Sequence, residues 1–280
     1  MASLARLPGA AALAALVPFL RRRPVEVAGR RLPPRVRRRD VVTFEEGGST
    51  VLFRIDDRYS RGWFLPRYRD GRLHEAMATR WVLGQLKSDS VFLDVGANLG
   101  WFAIMAAARA RAVFAVEAQE FLVGRIRRNA SLNGFENVNI LFAAAGDAPG
   151  FVRMPETGTP GTAVNEVEDG RSVPVIRLDD YFAADVVPDV VKIDVEGYEL
   201  KVLRGARRLL AHGPKLVIEL HEQMTKFGAS FEEVHALLDE NGYVIRIGDH
   251  RKEEAPLREI GRRDFARGIG NTMIFCERPS

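Results

Sequence analysis

The stretch V-F-L-D-V-G-A-N-L-G-W-F, residues 91–102, decides how this chain folds. It begins with an apolar-rich run that predicts a buried strand, continues into a turn between Gly96 and Gly100, and then predicts an apolar helix over 101–109. Glycine adopts backbone conformations that other residues resist, so such a turn lets the backbone approach a ligand closely. The stretch is typical of an open α/β sheet, in which ligands bind beyond the carboxyl ends of the strands.

The residues around the glycines indicate which cofactor binds. A dinucleotide fingerprint would read G-x-G-x-x-G, whereas this turn reads G-x-x-x-G with Asp94 just before it. Glu117 follows Gly96 by 21 residues and ends the next apolar run, where a carboxylate can accept hydrogen bonds from both hydroxyls of a ribose. An acid beside the turn suits a cationic ligand better than a diphosphate. The pattern therefore predicts a site for S-adenosylmethionine, and the alternative is a plain turn with two solvated carboxylates.

Small residues extend the predicted cofactor site at the end of the third strand, which we expect over 137–145. Ala144 and Ala145 leave room there for an adenine ring, and Asp147 follows shortly after them. The full set of predicted cofactor-binding residues is Asp94, Gly96, Ala97, Asn98, Gly100, Glu117, Ala145 and Asp147.

A second informative stretch, D-V-V-K-I-D-V-E-G-Y-E-L-K-V-L-R-G-A at 189–206, predicts a strand followed by a helix. Because side chains alternate along a strand, Lys192, Asp194 and Glu196 lie on one side of it. Charges at the mouth of an inner strand are costly unless they are paired or used. For Lys192 and for Glu199, in the first helical turn, we favour an ion-pair network. For Asp194 and Glu196 we favour a role in a site.

The next buried-type strand, 214–221, ends in Glu219 and His221. We expect these side chains to share a crevice with Asp194 and Glu196, because ligands bind where the carboxyl ends of neighbouring strands meet. The intrinsic pKa of histidine suits a base near neutral pH. The predicted catalytic residues are therefore Asp194, Glu196 and His221, with no metal ligand. Mg²⁺ held by the same oxygens and imidazole is the alternative that we rank second, because an octahedral ion needs several well-placed carboxylates.

These motifs resemble the FkbM family of S-adenosylmethionine-dependent methyltransferases. The resemblance covers about residues 75–245 and rests on D-V-G-A-N-L-G at 94–100, Glu117, K-I-D-V-E-G-Y-E-L-K-V-L-R-G-A at 192–206 and I-E-L-H at 218–221. It implies an α/β fold, a class I methyltransferase Rossmann-like seven-stranded sheet in the order 3-2-1-4-5-7-6, with the last strand antiparallel and helices on both faces. It also implies methyl transfer, most often to a hydroxyl of a small metabolite, sugar or polyketide. The family's cofactor positions fall on Asp94, Gly96, Asn98, Gly100 and Glu117.

Other classes of protein fit less well. A nicotinamide-dependent dehydrogenase would need the G-x-G-x-x-G turn and a Tyr-Lys or His base arrangement, and the sequence shows neither. A non-catalytic methyltransferase-like binding module would keep the fold but lose the acids at the strand ends, which this chain keeps as Asp94, Glu117, Asp194 and Glu196. We therefore expect an enzyme that acts on a small-molecule hydroxyl acceptor, with N-methylation of a small or peptide substrate as the alternative reaction.

Charge is distributed unevenly along the 280 residues. The first 40 residues hold ten arginines and two acids and so carry +8, which leaves the remainder at −4 against a total of +4. The high isoelectric point therefore belongs to the tail, and the rest of the chain lacks the main electrostatic support for nucleic-acid binding. The single cysteine, Cys276, excludes an intrachain disulfide and fits a reducing compartment.

Residues 1–40 are predicted to be a basic Ala/Arg-rich tail and linker. The apolar stretch 7–20 is too short for a comfortable membrane span, and arginines follow it where a signal peptide needs small residues. A poorly ordered tail, a membrane-surface helix through residues 1–23 held to anionic lipid and an organelle transit peptide stay open. We expect a cytoplasmic protein, peripheral to the membrane if the surface helix forms.

Residues 41–280 are expected to form a single methyltransferase domain, with a lead-in over 41–88 and the cofactor and catalytic core over 89–280. The lead-in contains His74 and Glu75, which could close over a ligand, although such residues are more often on the surface of a helix.

Two segments of the core lack periodicity. Residues 148–172 are rich in Gly, Pro, Thr and acids and predict a lid, a binding loop or a small excursion of sheet. Residues 248–270, between the last two predicted strands, carry many charges and predict an irregular excursion.

Overall fold

The computed structural model describes residues 26–33, 36–154, 170–182 and 186–279, in which strands and helices alternate. The strands are β1 (Glu26–Val27), β2 (Arg30–Arg31), β3 (Val41–Glu46), β4 (Ser49–Arg54), β5 (Val91–Val95), β6 (Ala112–Glu117), β7 (Val138–Phe142), β8 (Ala144–Ala145), β9 (Gly150–Met154), β10 (Arg171–Ile176), β11 (Val190–Ile193), β12 (Lys215–Leu220), β13 (Val244–Ile247), β14 (Arg258–Ile260) and β15 (Thr272–Glu277).

The described α-helices include five short ones of four to six residues and four longer ones. They are α1 (Leu65–Tyr68), α2 (Ala76–Gln85), α3 (Trp101–Ala107), α4 (Glu120–Asn133), α5 (Leu178–Tyr181), α6 (Glu199–Arg204), α7 (Arg207–His212), α8 (Phe231–Glu240) and α9 (Arg262–Ala266). A π-helical turn, Ser60–Phe64, leads into α1, and 3₁₀ turns lie at Arg38–Asp40 and Glu222–Phe227.

Eight strands form the central sheet, in the order β14-β13-β15-β12-β11-β5-β6-β7. Counted from β5 and without β14, this order is 3-2-1-4-5-7-6, so the predicted strand order is confirmed. The last strand, β15, runs antiparallel to both β12 and β13, also as predicted. The eighth strand is a difference from the prediction. It forms inside the segment 248–270 because the backbone of β14 pairs with the outer edge of β13.

The residues of the central strands alternate between two apolar layers. Phe92 and Val190 belong to the layer under the lead-in and α3, whereas Leu93 and Val191 belong to the layer under α6, α7 and α8. Burial on both faces is typical of parallel sheets, whose connecting helices cover them. The sheet is therefore covered by helices on both faces, as the resemblance implies.

The helix predicted to follow β11 without interruption is two helices, α6 and α7, that meet at Gly205 and Ala206. A β-carbon at Gly205 would lie 1.9 Å from the carbonyl oxygen of Gly146, so only glycine fits where these two backbones approach. The carbonyl of Gly205 accepts the N–H of Asp179 at 2.9 Å. The carboxylate of Asp179 in turn accepts the N–H of Arg208 in the first turn of α7, which restarts the helix.

The segment 137–145, predicted as one strand, divides at Ala143. β7 stays in the central sheet, while β8 pairs with β10, and β9 completes a small three-stranded sheet. Its strand β9 lies near the start of the segment 148–172, and β10 begins near the end of that segment. One of the predictions for this segment is a small excursion of sheet. Residues 155–169 lie outside the described part of the chain.

The lead-in packs against the core through aromatic side chains. Its strands β3 and β4 form an antiparallel hairpin. Phe44 and Phe53 contact Trp101 of α3, with ring centroids 4.7 and 5.1 Å apart. The indole Nε1 of Trp101 donates to the hydroxyl of Thr79 in α2 at 2.8 Å. These contacts hold the lead-in against the helix that directly follows the 96–100 turn.

The segment 26–40, predicted as part of the tail and linker, is packed where the structure describes it. Leu32 and Val36 are buried in a small apolar cluster with Leu52 of β4 and Leu132 of α4. This part is therefore packed chain rather than a linker, because its apolar residues reach the core. The predictions for residues 1–25 lie outside the described residues. Among those described, no helix combines the length and apolar character that crossing a bilayer requires.

Candidate active site

The carboxyl ends of β5, β6 and β11 form an open cleft of about 630 Å³, counting the solvent space at its mouth, which we call the turn cleft. Its lining includes Gly96 and Asn98 from the turn, Glu117 at the end of β6 and Ala145 from β8. Four of the predicted cofactor positions thus meet in one cavity. The cleft lies where an open α/β sheet binds its ligands.

Gly96 is the residue that allows this turn. Its φ is +81°, and a β-carbon there would lie 1.8 Å from the carbonyl oxygen of Asp194. The N–H groups of Gly96 and Ala97 both donate to the carbonyl of Val116, at 2.9 and 3.1 Å. The turn therefore holds the ends of β5, β6 and β11 together, and a side chain at position 96 would force β5 and β11 apart.

Glu117 is held in the turn cleft by backbone hydrogen bonds. Its Oε2 accepts the N–H of Asn98 at 2.7 Å, and its Oε1 accepts the N–H of Gln119 at 2.8 Å. Each oxygen keeps a second lone pair that can accept a hydroxyl hydrogen. Burial raises the pKa of Glu117 to about 7, against the lowering effect of the two hydrogen bonds.

Gln119 adds an unsatisfied acceptor to the turn cleft. The residue lines the cleft, and its side-chain oxygen is buried without a hydrogen-bond partner among the described residues. Buried polar atoms are normally hydrogen-bonded, so such an atom needs an explanation. Together, Glu117 and Gln119 offer acceptors to the hydroxyl and amino groups of a nucleoside, which fits S-adenosylmethionine.

The other predicted cofactor residues lie outside the turn cleft. Asp94 accepts the N–H of Ala103 at 3.0 Å and so joins β5 to α3. Ala97 lines a neighbouring pocket together with Asp94, and Gly100, with a φ of +83°, begins α3. Asp147 is exposed and lines neither cavity. The structure does not bring it to the predicted site, because the division of 137–145 leads the chain away after β8.

A second open cavity, of about 700 Å³ with the solvent space at its mouth, adjoins the turn cleft, and we call it the charged pocket. The two cavities share Gly96, Asn98, Asp194 and Glu196 in their linings. The charged pocket is also lined by aromatic side chains of the lead-in, including Trp63. Its other ionisable residues are His74, Glu75, Asp94, Lys192 and Glu219.

Lys192 and Asp194 form a partly buried ion pair in the charged pocket. The Nζ atom of Lys192 lies 2.9 Å from Oδ2 of Asp194 and 4.7 Å from the centre of the Phe102 ring. Burial alone would raise the pKa of Asp194, but the charges of Lys192 and His221 hold it below its ordinary value. Asp194 is therefore ionised at neutral pH. Lys192 pairs with Asp194 of its own strand end, and Glu199 of the following helix contacts His221 instead.

His221 is surrounded by three carboxylates. Its Nδ1 lies 2.8 Å from Glu199, and its Nε2 lies 3.5 Å from Glu196 and 3.9 Å from Glu219. Burial alone would lower the pKa of His221, but the hydrogen bond to Glu199 and the surrounding negative charge raise it to about 9. The imidazole is therefore protonated at neutral pH and cannot accept another proton. The predicted role of His221 as the base does not fit these surroundings.

Glu196 occupies an unusual backbone position in the wall between the cavities. Its φ is +54°, in the left-handed region that residues with a side chain rarely adopt. Such strain persists where the surrounding structure imposes it, and it clusters at functional sites. Burial raises the pKa of Glu196 above its ordinary value, while the charge of His221 opposes that shift. The side chain is still 25% exposed, so it can contact a ligand.

Sequence reasoning missed several residues of the site. Met154 and Tyr198 line the turn cleft, and Tyr59 of the lead-in donates to the side chain of Asn98 at 2.9 Å. No local pattern signals that β9 or the lead-in would reach the strand ends, because only the folded chain brings them there. Tyr198 could have been predicted, since it lies two residues after Glu196 within the second motif.

Comparison with known proteins agrees with this geometry. The family model described as Methyltransferase FkbM domain matches residues 94–245, more than half of the chain. The Hexuronic acid methyltransferase AglP of Haloferax volcanii is 28% identical over 200 residues, which cover 70% of this chain and 80% of that protein.

Two solved structures are similar in fold. Methyltransferase FkbM from Methylobacillus flagellatus KT is 18% identical with a TM-score of 0.47, and the match covers 73% of this chain but 48% of that one. TYW2 of M. jannaschii, solved in complex with AdoMet, is 16% identical with a TM-score of 0.42, and the match covers 89% and 90% of the two chains.

Proposed function

This chain belongs to the FkbM methyltransferase family, and on that premise we propose that it methylates a hydroxyl group of a sugar-like small molecule. S-adenosylmethionine-dependent methyl transfer follows from membership of the family. The hydroxyl acceptor and the roles of the residues rest on the two cavities.

The observation that carries this assignment is the wall that the turn cleft and the charged pocket share. Gly96, Asn98, Asp194 and Glu196 line both cavities. Bound S-adenosylmethionine supplies an activated methyl group on a sulfonium. Since the displacement is in-line, the protein mainly has to hold the acceptor oxygen behind that methyl group. A nucleoside in the turn cleft and an acceptor in the charged pocket would meet at this wall.

The turn cleft binds the nucleoside through a few side chains and the backbone. Glu117 accepts hydrogen bonds from the ribose hydroxyls through the lone pairs that its backbone partners leave, and Gln119 offers a further acceptor. Ala145 is small enough to admit the adenine ring beside it.

Glu196 is the group that we assign as the base, which receives the proton that the acceptor hydroxyl loses. An alcohol loses its proton during methyl transfer, and a base within hydrogen-bond reach speeds that loss. Glu196 lines both cavities and has a raised pKa. Asp194 is less suitable as a base because it is ion-paired with Lys192. The protonated His221, 3.5 Å from Glu196, acts as a positioning residue that orients this carboxylate.

A sugar hydroxyl is the acceptor that the charged pocket fits best. Its carboxylates can accept hydrogen bonds from several hydroxyls at once, and Trp63 adds an aromatic surface. The relative from Haloferax volcanii is named a hexuronic acid methyltransferase, which supports a sugar of that class. An amine would also be attracted by the carboxylates, so N-methylation is the competing reaction.

The test is transfer of a labelled methyl group from S-adenosylmethionine by the full chain to hexuronic acids, neutral hexoses and amino sugars. We expect the label on a hydroxyl oxygen of a hexuronic acid or a hexose, located by mass spectrometry. The exposed acid Glu232 offers a control, and Glu232→Gln should transfer the methyl group as the wild type does. Label on a nitrogen atom would show that the reaction is N-methylation and not O-methylation. Binding of S-adenosylhomocysteine without transfer to any sugar would overturn the sugar acceptor.

A further inference from the structure

Three side chains from separate parts of the chain converge near the charged pocket. Glu75 directly precedes α2, Glu219 lies in β12 and His250 follows β13. One carboxylate oxygen of each glutamate and one ring nitrogen of His250 all lie within 4.8 Å of one another. None of the three is among the predicted catalytic or cofactor-binding residues, although the sequence places Glu219 near the strand ends and Glu75 in the lead-in, where it could close over a ligand.

Two of these side chains are buried with an unsatisfied polar atom. His250 is 8% exposed, and its Nε2 has no hydrogen-bond partner within the described parts of the chain. The side chain of Glu75 is 9% exposed, and its Oε2 likewise lacks a partner there, although Oε1 lies 3.6 Å from His74. Leaving such atoms unpaired lowers the stability of the fold, more so for a charged group. A ligand that contacts both atoms would remove this cost.

The backbone holds Glu75 and His250 in this arrangement. Glu75 has a φ of +44°, in the left-handed region, at the start of α2. The N–H of Met77 donates to the carbonyl of Lys252 at 3.0 Å, which joins the start of α2 to the turn that contains His250. The carbonyl of Glu75 accepts the N–H of Thr79 at 2.8 Å and so continues into the helix. The convergence therefore does not depend on mobile side chains alone.

The charge of the surrounding pocket favours a cation. Glu75, Asp94, Asp194, Glu196 and Glu219 all line the charged pocket. Among its described lining residues there is one ammonium group, Lys192, and Asp194 pairs with it at 2.9 Å. Buried like charges repel one another strongly, and a positive ion among them lowers that repulsion.

We propose that Glu75, Glu219 and His250 bind one divalent transition-metal cation. Two carboxylate oxygens and one imidazole nitrogen form a mixed donor set that suits ions such as Zn²⁺ and Mn²⁺ better than Mg²⁺, which prefers oxygen alone. Three protein donors leave positions for ligands from the pocket.

A competing cluster, Asp194, Glu219 and His221, is also close enough to hold an ion. It is less suitable because both ring nitrogens of His221 face carboxylates, with Nδ1 2.8 Å from Glu199 and Nε2 3.5 Å from Glu196. Asp194 is in addition bound to Lys192. The unsatisfied atoms lie at Glu75 and His250 instead, which is why we place the ion there.

The ion would also select the acceptor, a consequence that rests on the proposed function. A cation beside the charged pocket binds molecules that offer two neighbouring oxygens, such as a hydroxyl next to a carboxylate or another hydroxyl. It would allow an anionic sugar to enter a pocket whose own carboxylates would otherwise repel it.

The test is calorimetric titration of the chelator-treated full chain with Zn²⁺ and with Mn²⁺, and with Mg²⁺ for comparison. We expect one bound Zn²⁺ or Mn²⁺ per chain, and a loss of affinity of at least about tenfold in Glu75→Gln and in His250→Ala. Thermal melting of each variant shows whether it is folded. His250→Gln, which keeps a polar side chain of similar length, serves if His250→Ala is not.

Two control variants give the result its meaning. His212 is exposed on α7, so His212→Ala reports binding to a surface histidine and should retain full affinity. His221→Ala should also retain Zn²⁺ affinity, and loss of affinity there, but not in His250→Ala, would move the ion to the competing cluster and overturn the assignment. Absence of binding at one ion per chain would overturn it as well. S-adenosylhomocysteine affinity in the same variants separates this outcome from failure of the proposed function.

Discussion

The turn cleft and the charged pocket lie side by side, but they are built in different ways. In the turn cleft, Glu117 has a backbone N–H partner for each oxygen, supplied by Asn98 and Gln119 from nearby in the chain. In the charged pocket, carboxylates from the lead-in, β5, β12 and the segment after β11 face one another, and Lys192 and His221 offset their charge. The first cavity depends on backbone geometry, and the second depends on charges that the tertiary structure brings together.

This difference predicts that damage to the two cavities has different consequences. Changes in the turn cleft should alter folding and cofactor affinity together, because the same backbone supports both. Changes in the charged pocket should alter turnover while cofactor affinity stays the same.

The largest expected effect is that of Gly96→Ala. The new β-carbon would overlap the carbonyl of Asp194 at 1.8 Å in a left-handed conformation, so β5 and β11 would have to separate. We expect the free energy of unfolding to fall by roughly 3 kcal/mol or more, with loss of S-adenosylhomocysteine binding. Urea unfolding and calorimetry measure the two effects.

Gly84→Ala is the matched control for that substitution. Gly84 lies in α2, and a β-carbon there meets nothing within 4 Å. Because alanine is the better helix former, we expect no loss of stability and a gain of up to about 1 kcal/mol. Equal destabilisation by both substitutions would show that the close approach at Gly96 is unimportant.

The next effect is that of Glu196→Gln on turnover. Loss of the base should reduce kcat by about 10²–10⁴-fold, with S-adenosylhomocysteine affinity unchanged. Steady-state kinetics with the acceptor found by labelling, together with calorimetry, separates the two quantities. A variant with wild-type kcat would assign the proton to another group, whereas loss of cofactor affinity would place Glu196 with the turn cleft.

A smaller effect is the pH dependence of cofactor affinity through Glu117. Its pKa is raised to about 7, and the ionised carboxylate is the form that accepts two ribose hydrogen bonds. As pH falls through 7 the carboxyl gains a proton, so S-adenosylhomocysteine affinity should fall by up to about tenfold between pH 8 and pH 6. Calorimetry across this range measures it. Glu117→Gln, which keeps the shape without the titration, should bind weakly and show no such dependence.

The smallest effect on either cavity is expected from the N-terminal segment. Deletion of residues 1–25 should leave S-adenosylhomocysteine affinity and turnover unchanged. If the segment is a lipid-surface helix, the full chain should sediment with anionic vesicles at low salt and the deletion variant should not. Failure of the full chain to sediment would exclude the lipid-surface helix and leave a poorly ordered tail or a transit peptide.

The strands of the central sheet could be predicted from local signals in the sequence, and their order could be predicted from the family resemblance. Apolar runs, the turn at 96–100 and the motif at 192–206 stand in the sequence as contiguous stretches. Residues from those stretches, such as Gly96, Asn98 and Glu117, line the turn cleft together because each lies at or just after the end of a strand. Gly205 shows the limit, because its helix break depends on Gly146, far away in the chain.

The role of His221 and the composition of the charged pocket could not be predicted in the same way. The sequence by itself determined the residue types at the strand ends, and therefore the fold, the cofactor and the presence of several carboxylates. Only the tertiary structure decided which of them are paired: Glu199 keeps His221 charged, Lys192 neutralises Asp194, and α2 brings Glu75 towards Glu219. The physical reason is that backbone conformation depends mainly on neighbouring residues, whereas the energy of a buried charge depends on every other charge within a few ångströms, whatever its position in the chain.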